Sequence, residues 1–260
     1  MQTSAAATPA AAVPTVGILG SGSDFASFLH HIGVSSLDMG FNGDYGVYHS
    51  VYDSFFWSEH FGDPTFAYHR AMAQLWGLMA IRLSSSRVLP VSAPDYTAAL
   101  VEYMATVQAA ASAASLSLDF SAMSAAVSAL QAPAAIVECY RVFAASTPTL
   151  PASEIAELNT HLARLEQAFL ITPADGFDGN GLPGRTWFKH IVQAPGLNTG
   201  YDANVFPSLY DAIDDRNATA AQVQIGLLSA KLGKVLDVIG AIAPYVPQGC
   251  TFDDAKIAQE

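Results

Sequence analysis

His49 is the side chain whose neighbours best equip it for chemistry. The run Gly43-Asp44-Tyr45-Gly46-Val47-Tyr48-His49-Ser50-Val51-Tyr52-Asp53 sets one imidazole among tyrosines and small residues, just ahead of a long apolar stretch. A neutral imidazole on a loop is a good zinc ligand, and equally a good structural hydrogen-bonding group. One ligand is not a metal site, because zinc takes three or four. No His-Glu-x-x-His pair occurs, and His30, His31, His60, His69, His161 and His190 fall on expected helices or outside this loop. A second Gly-rich loop, Leu19-Gly20-Ser21-Gly22-Ser23-Asp24-Phe25, lies upstream. Its plain reading is a tight turn with a helix cap at Ser23 or Asp24. Its functional reading is a row of backbone N–H groups able to hold an anion or a carbonyl. Neither the Gly-x-Ser-x-Gly nucleophile turn nor the Gly-x-Gly-x-x-Gly nucleotide fingerprint is formed.

The elements that must position these loops change character along the chain. Val16 to Leu19 reads as a buried strand, Phe25 to Ile32 as a helix ended by Gly33, and Val34 to Phe41 as another strand. Two strands do not make a stable domain, so this span reads as a fragment of an α/β sheet. Asp63-Pro64 opens a helix, and residues 66–83 are apolar on nearly every face, the pattern of a helix buried on all sides. Helices follow over 96–114 and over 120–145, the second kinked or split at Pro133. The stripe Ile155, Leu158, Leu162, Leu165, Phe169 marks a helix over 153–170. Ile225, Leu228, Leu232, Val235, Ile239 and Ile242 mark another over 218–243. Residues 171–206 read as a long loop of the kind that often serves function. The expected architecture is mostly α, a C-terminal helical bundle of about four helices preceded by a sheet fragment. The expected divisions are a low-complexity linker at 1–14, the sheet-derived part at 15–92 and the helical domain at 93–260.

Of the 260 residues, 51% are apolar and 13% charged, with a net charge of −12, which is far too hydrophobic for a disordered chain. Nucleic-acid binding needs clustered Lys and Arg, and this balance excludes it as a class. Two cysteines make neither a disulfide scaffold nor a Cys-rich metal site. Cys139 reads as a buried thiol, and its pairing with Cys250 stays open. No apolar run reads as a membrane span. One sequon, Asn217-Ala218-Thr219, leans towards a secreted or luminal route, with Asn217 the glycosylation candidate.

Several motifs occur together in a fixed order. They are Leu19 to Phe25, Tyr48-His49-Ser50-Val51-Tyr52-Asp53, Phe61-Gly62-Asp63-Pro64-x-Phe66-x-Tyr68-His69 through Gln74, Phe188-Lys189-His190 with Ala194-Pro195, and Phe206-Pro207-x-x-Tyr210-Asp211-Ala212. In this combination the chain resembles the glutamate carboxypeptidase II and transferrin receptor family over almost all of its length after residue 15. The resemblance implies the C-terminal portion of a two-zinc exopeptidase, carrying a transferrin-receptor-like helical domain that pairs two copies as a homodimer. It implies that His49 is the last zinc ligand and that Tyr48 lines the site and can hydrogen-bond a reacting carbonyl. Ser21, Gly22, Ser23 and Tyr201 would line the cleft for a peptide substrate. The other zinc ligands and the catalytic Glu match nothing in this chain, so no catalytic residue is assigned and the chain alone is expected to be inactive. The Lys that holds a terminal carboxylate in the acidic-peptide enzymes is Gly200 here, and the Arg pair that favours acidic side chains would fall near Asp38 and Gly40 and is absent, so the resemblance does not carry over a preference for glutamate-ending peptides. A non-catalytic dimerisation or binding module is the competing reading. A secreted, luminal or membrane-anchored setting, through an upstream segment, follows from the same resemblance.

Overall fold

A computed structural model describes residues 16–20, 22–41, 43, 45–198, 200 and 203–242. Ser21, Tyr201 and Cys250 therefore lie outside the described residues. Eight α-helices are present among them: α1 (Phe55–Trp57), α2 (Ala67–Ser85), α3 (Ala93–Ala113), α4 (Ser121–Ala129), α5 (Gln131–Ser146), α6 (Ala152–Arg164), α7 (Pro207–Asp214) and α8 (Ala218–Gly240). Two three-residue strands, β1 (Gln193–Pro195) and β2 (Ala203–Val205), pair antiparallel, with Ala194 opposite Asn204. The protein is mostly α, with a helical body built from α3 to α8.

Local chemistry accounts for the body. Ser92 caps α3 by accepting from Asp95 N at 3.3 Å, and Pro94 sits in the first turn, where its missing N–H costs nothing. Leu100, Met104, Val107 and Ala111 recur at three- and four-residue steps and are all buried. The apolar stretch over 120–145 splits between α4 and α5 at Leu130, which leaves Pro133 in the first turn of α5. Residues 121–146 together are long and apolar enough to cross a membrane. Here they are two core helices, α4 packed on α8 and α5 on α3 and α8. The expected stripe over 153–170 is α6 followed by a 3-10 turn, Glu166–Phe169. α8 spans the body through Ile225, Leu228, Leu232, Val235 and Ile239, all buried. The body holds six helices rather than about four, because α4 and α5 are separate and α7 follows the long loop.

The N-terminal part departs from expectation in three ways. Residues 16–20 and 34–41 form no strand ladder, since no described strand lies beside them to take their backbone bonds. Residues 25–32 do wind into a helical segment, but with π-type spacing over Ser27–His31. Carbonyls of Ser23 and Asp24 accept from Ala26 and Ser27 N, where a side-chain cap was expected. Gly33 ends the segment at φ 67°, where a Cβ would come within 2.8 Å of Gln167 Cα. The largest difference is α2. It begins at Ala67, not at Pro64, with Asp63 Oδ1 accepting from Ala67 N at 2.9 Å. The apolar residues on every face were expected to be buried, yet no residue of α2 is buried. Burial needs a partner surface, and none among the described residues covers it. Cys139 is half-buried and disulfide-bonded, which corrects the reading of a buried free thiol.

Candidate functional site

The His49 turn is built from its own backbone. Ser50 N and Ser50 Oγ both donate to Val47 O, at 3.0 and 2.6 Å, and Asp53 N donates to Ser50 O at 3.1 Å. These bonds wind residues 46–52 into consecutive turns and hold His49 at φ 61°. That left-handed conformation is uncommon for a residue with a side chain and is enriched in histidine. The Tyr48 and His49 rings stack, with centroids 3.9 Å apart and planes 19° apart. Tyr45 packs against Tyr48 at 6.0 Å and against Trp57 at 5.4 Å. Burial, then the neighbouring Asp53 carboxylate, pushes the Tyr45 phenol up. Tyr48 is 57% exposed and His49 is exposed too. The turn therefore presents a phenol and an imidazole outwards, from a short frame.

The second loop sits elsewhere on the molecule. Gly22 takes φ 87° with open space around it, and Ser23 is exposed. A Cβ on Gly20 would collide with Ala203, so this turn lies directly against β2. Beyond β1 the chain turns through Gly196, whose carbonyl accepts from Gly200 N at 3.0 Å, with Gly200 at φ 69°. Gly20 and Ala203 are thereby neighbours, although they lie at opposite ends of the described chain. Beside them is a cavity of about 400 Å³, lined in part by Asn198, Asn204, Tyr210 and Asp211. Asp211 pairs with Arg185 at 2.7 Å, and burial raises its carboxyl pKa despite that partner. Arg185 also donates to Pro195 O, which ties β1 to α7.

A buried polar cluster joins Tyr96, Glu166 and His190, of which the sequence motifs contained only His190. His190 is fully buried, and its Nε2 lies 2.9 Å from Glu166 Oε1. Val192 N and Gln193 N donate to His190 Nδ1, at 3.2 and 3.3 Å, so the proton belongs on Nε2. Tyr96 donates to the same Glu166 oxygen at 3.2 Å. Burial first, and the Glu166 charge second, place its phenol well above the ordinary range. Tyr96, Glu166 and His190 are far apart along the chain and carry no joint motif, which is why sequence spacing missed them.

The donor set around His49 does not fit a complete zinc site. Among the described residues no group of three His, Cys, Asp or Glu side chains converges, and a single imidazole does not hold zinc as an enzyme site does. His60 is exposed, and His69, which is largely exposed, pairs with Asp63 at 2.8 Å. Asn217 is exposed and caps α8, accepting from Ala220 N at 3.0 Å.

The transferrin receptor-like dimerisation domain profile matches residues 108–239. The chain is 34% identical over 196 residues to a probable glutamate carboxypeptidase of Arabidopsis thaliana, covering 75% of this chain and 27% of that protein. It is 31% identical over 210 residues to an aminopeptidase of Rattus norvegicus, 77% and 27% respectively. It is 24% identical over 226 residues to an inactive zinc metalloprotease of Schizosaccharomyces pombe, 82% and 27%. The chain belongs to the glutamate carboxypeptidase II and transferrin receptor family. It spans about a quarter of the length of these relatives.

Proposed function

We propose that this chain is the dimerisation and site-completing part of a glutamate carboxypeptidase-like zinc exopeptidase. In this reading residues 15–92 belong to the peptidase part and residues 93–260 to the helical domain, which pairs two copies. His49 would supply one zinc ligand, and Tyr48 would donate to the carbonyl of a bound peptide. The 20–23 turn and the loop around Tyr201 would line the cleft. The observation that carries the reading is the His49 turn. It is fixed internally yet directs an imidazole and a phenol outwards, which suits a ligand completed by groups on another surface. The bare faces of α2 support it, since its exposed Tyr68, Leu75, Trp76, Leu78, Ile81 and Leu83 are the kind of surface that marks a contact. Zinc in such an enzyme polarises the scissile carbonyl and activates water. With one imidazole here, the 260 residues alone are expected to be inactive.

The test has two arms. Sedimentation of the purified chain should give a dimer, and a monomer at micromolar concentration would remove the pairing role. Sequencing the native transcript upstream of the Met1 codon should show an open frame encoding the remaining His, Asp and Glu ligands. A stop codon in that frame would favour the second reading, a non-catalytic dimerisation module. The similarity to an inactive relative gives that reading its support. Zinc-dependent peptidase turnover by the pure 260-residue chain would overturn both.

A further inference from the structure

His30 is fully buried, yet Ile32 and Phe28 close to it in the chain are exposed. Its Nε2 lies 2.7 Å from Leu19 O and donates to it. Its Nδ1 is also buried and has no hydrogen-bond partner. Phe25 meets the ring edge-on at 5.9 Å, Phe188 lies at 5.9 Å and His190 at 6.4 Å. The backbone on either side is tied to the same region. Lys189 N donates to His30 O at 2.8 Å, and Leu19 N donates to Gln193 Oε1 at 3.1 Å. His31 Nδ1 lies 2.7 Å from Trp187 O, and its ring stacks on Trp187 at 4.8 Å. Residues 19–31 are thus clamped onto residues 187–193. Gln193 opens β1, and its partner strand β2 carries Ala203 against Gly20.

We propose that His30 is a positioning residue: as a neutral imidazole it fixes Leu19 and Gly20 against β2 through the Leu19 carbonyl, and its protonation releases them. The clamp stands on the geometry alone; that the chain following Gly20 lines a peptide cleft rests on the function proposed above. The neutral form is required because a second ring proton on Nδ1 would be buried with nothing to accept it. The charged groups facing the ring come from two elements. Arg185 and His190 lie on the segment that packs over it, and Glu166 comes from the turn after α6. Glu166 is the one attractive charge, and His190 and Tyr96 already occupy its Oε1. Burial is the largest influence on His30 and brings its pKa from 6.5 to about 4, against the favourable Leu19 bond.

The sign follows from linkage. A base that is harder to protonate in the closed state than in the open one favours opening as pH falls below the open-state value. Between pH 7 and pH 4.5 the opening equilibrium should rise on the order of fifty-fold. The experiment is amide hydrogen exchange on the whole 260-residue chain at these two pH values, corrected for the intrinsic pH dependence. The reporters are the peptides containing Leu19 and Lys189, with α8 peptides as the control for global unfolding. In the parent protein, protection at Leu19 and Lys189 should fall with acid while α8 stays protected. His30→Gln puts a non-titrating amide donor where Nε2 lies, and should keep protection at both pH values. His30→Ala should lack it at both. Acid loss in His30→Gln as large as the parent's would overturn the proposal and assign the release to other groups. Full protection in His30→Ala would do the same. Neither readout depends on zinc, peptide or dimer formation, so failure of the peptidase reading would show separately in the sedimentation and transcript results.

Discussion

Replacing Asp175 by Ala should be among the most damaging single changes in the helical body. The Asp175 side chain is 1% exposed and takes four hydrogen bonds. They come from Thr172 N at 2.7 Å, Thr172 Oγ1 at 2.8 Å, Lys231 Nζ at 2.9 Å and Lys234 Nζ at 2.5 Å. The two lysines are not equivalent. Lys231 is 5% exposed, whereas half of the Lys234 side chain is in solvent and it has a second acceptor in Ala174 O. Asp175→Ala leaves the Lys231 ammonium buried and uncompensated, a loss of about 3–5 kcal/mol. Lys234→Ala removes a partly solvated partner and should cost about 0–1 kcal/mol. Replacing Asp175 and Lys231 together by apolar residues removes both charges, so most of the loss should be recovered. Burial alone would raise the Asp175 carboxyl. The Lys234, Lys231 and Thr172 bonds outweigh it and hold the group well below the ordinary 3.8. Its contribution is therefore complete above that value and is lost as pH falls through the lower folded-state pKa. Native-state exchange of α8 amides measures the body's opening free energy directly. Equal costs for Asp175→Ala and Lys234→Ala, or no recovery in the double variant, would refute the reasoning.

Three further outcomes follow from the same structure. Leu228 is fully buried on α8, so Leu228→Ala should cost about 2–5 kcal/mol in urea unfolding, and a cost under 1 kcal/mol would contradict the packing described. Asn217→Ala removes the α8 cap and should cost about 1 kcal/mol; chain expressed through a secretory route should also lose a glycan mass in this variant, while bacterial material should show only the stability change. The amides of α2 should exchange far faster than those of α8 in dilute chain, because a 19-residue helix with nothing buried is marginal in water. Equal protection of the two helices at nanomolar concentration would count against the exposure of α2.

The body was legible because its signals are local. The α8 stripe from Ile225 to Ile239 lies within one helix, the 155–169 stripe runs through α6 into the turn that follows it, and Pro133 announced the break between α4 and α5 by simple loss of a donor. Other features required knowledge of neighbours. Residues 66–83 carry apolar side chains all round, and periodicity alone cannot tell a helix enclosed by this chain from one awaiting a surface. The hairpin was missed because its strands are three residues each, inside a Gly- and Asn-rich stretch with no alternation to count. α7 was signalled by Phe206-Pro207, with proline in the first helical turn, but its apolar positions are too few to form a stripe. The cluster joins His30 to Glu166 and His190, each more than 130 residues from it, and only the tertiary fold brings them together.

The two halves of the chain satisfy their backbones and side chains differently, and that difference bears on function. In the body, charged groups such as Lys231 and Asp175 are buried and paired, and the apolar stripes close on one another. From Phe41 to Leu83 the large side chains Tyr52, Phe55, Phe56, Phe61, Tyr68 and Ile81 are each more than 60% exposed. Scattered apolar residues on a surface need no explanation, but a contiguous set does. The His49 turn lies inside this set, at the same end of the sequence as the bare helix α2. The motif that suits an active site and the surface that lacks a cover therefore belong to one segment. A body that folds on local patterns carries a segment whose large apolar side chains no described residue covers. The His30 clamp joins the two, because it anchors residues 19–31 to the body while the segment beyond Gly33 departs towards His49.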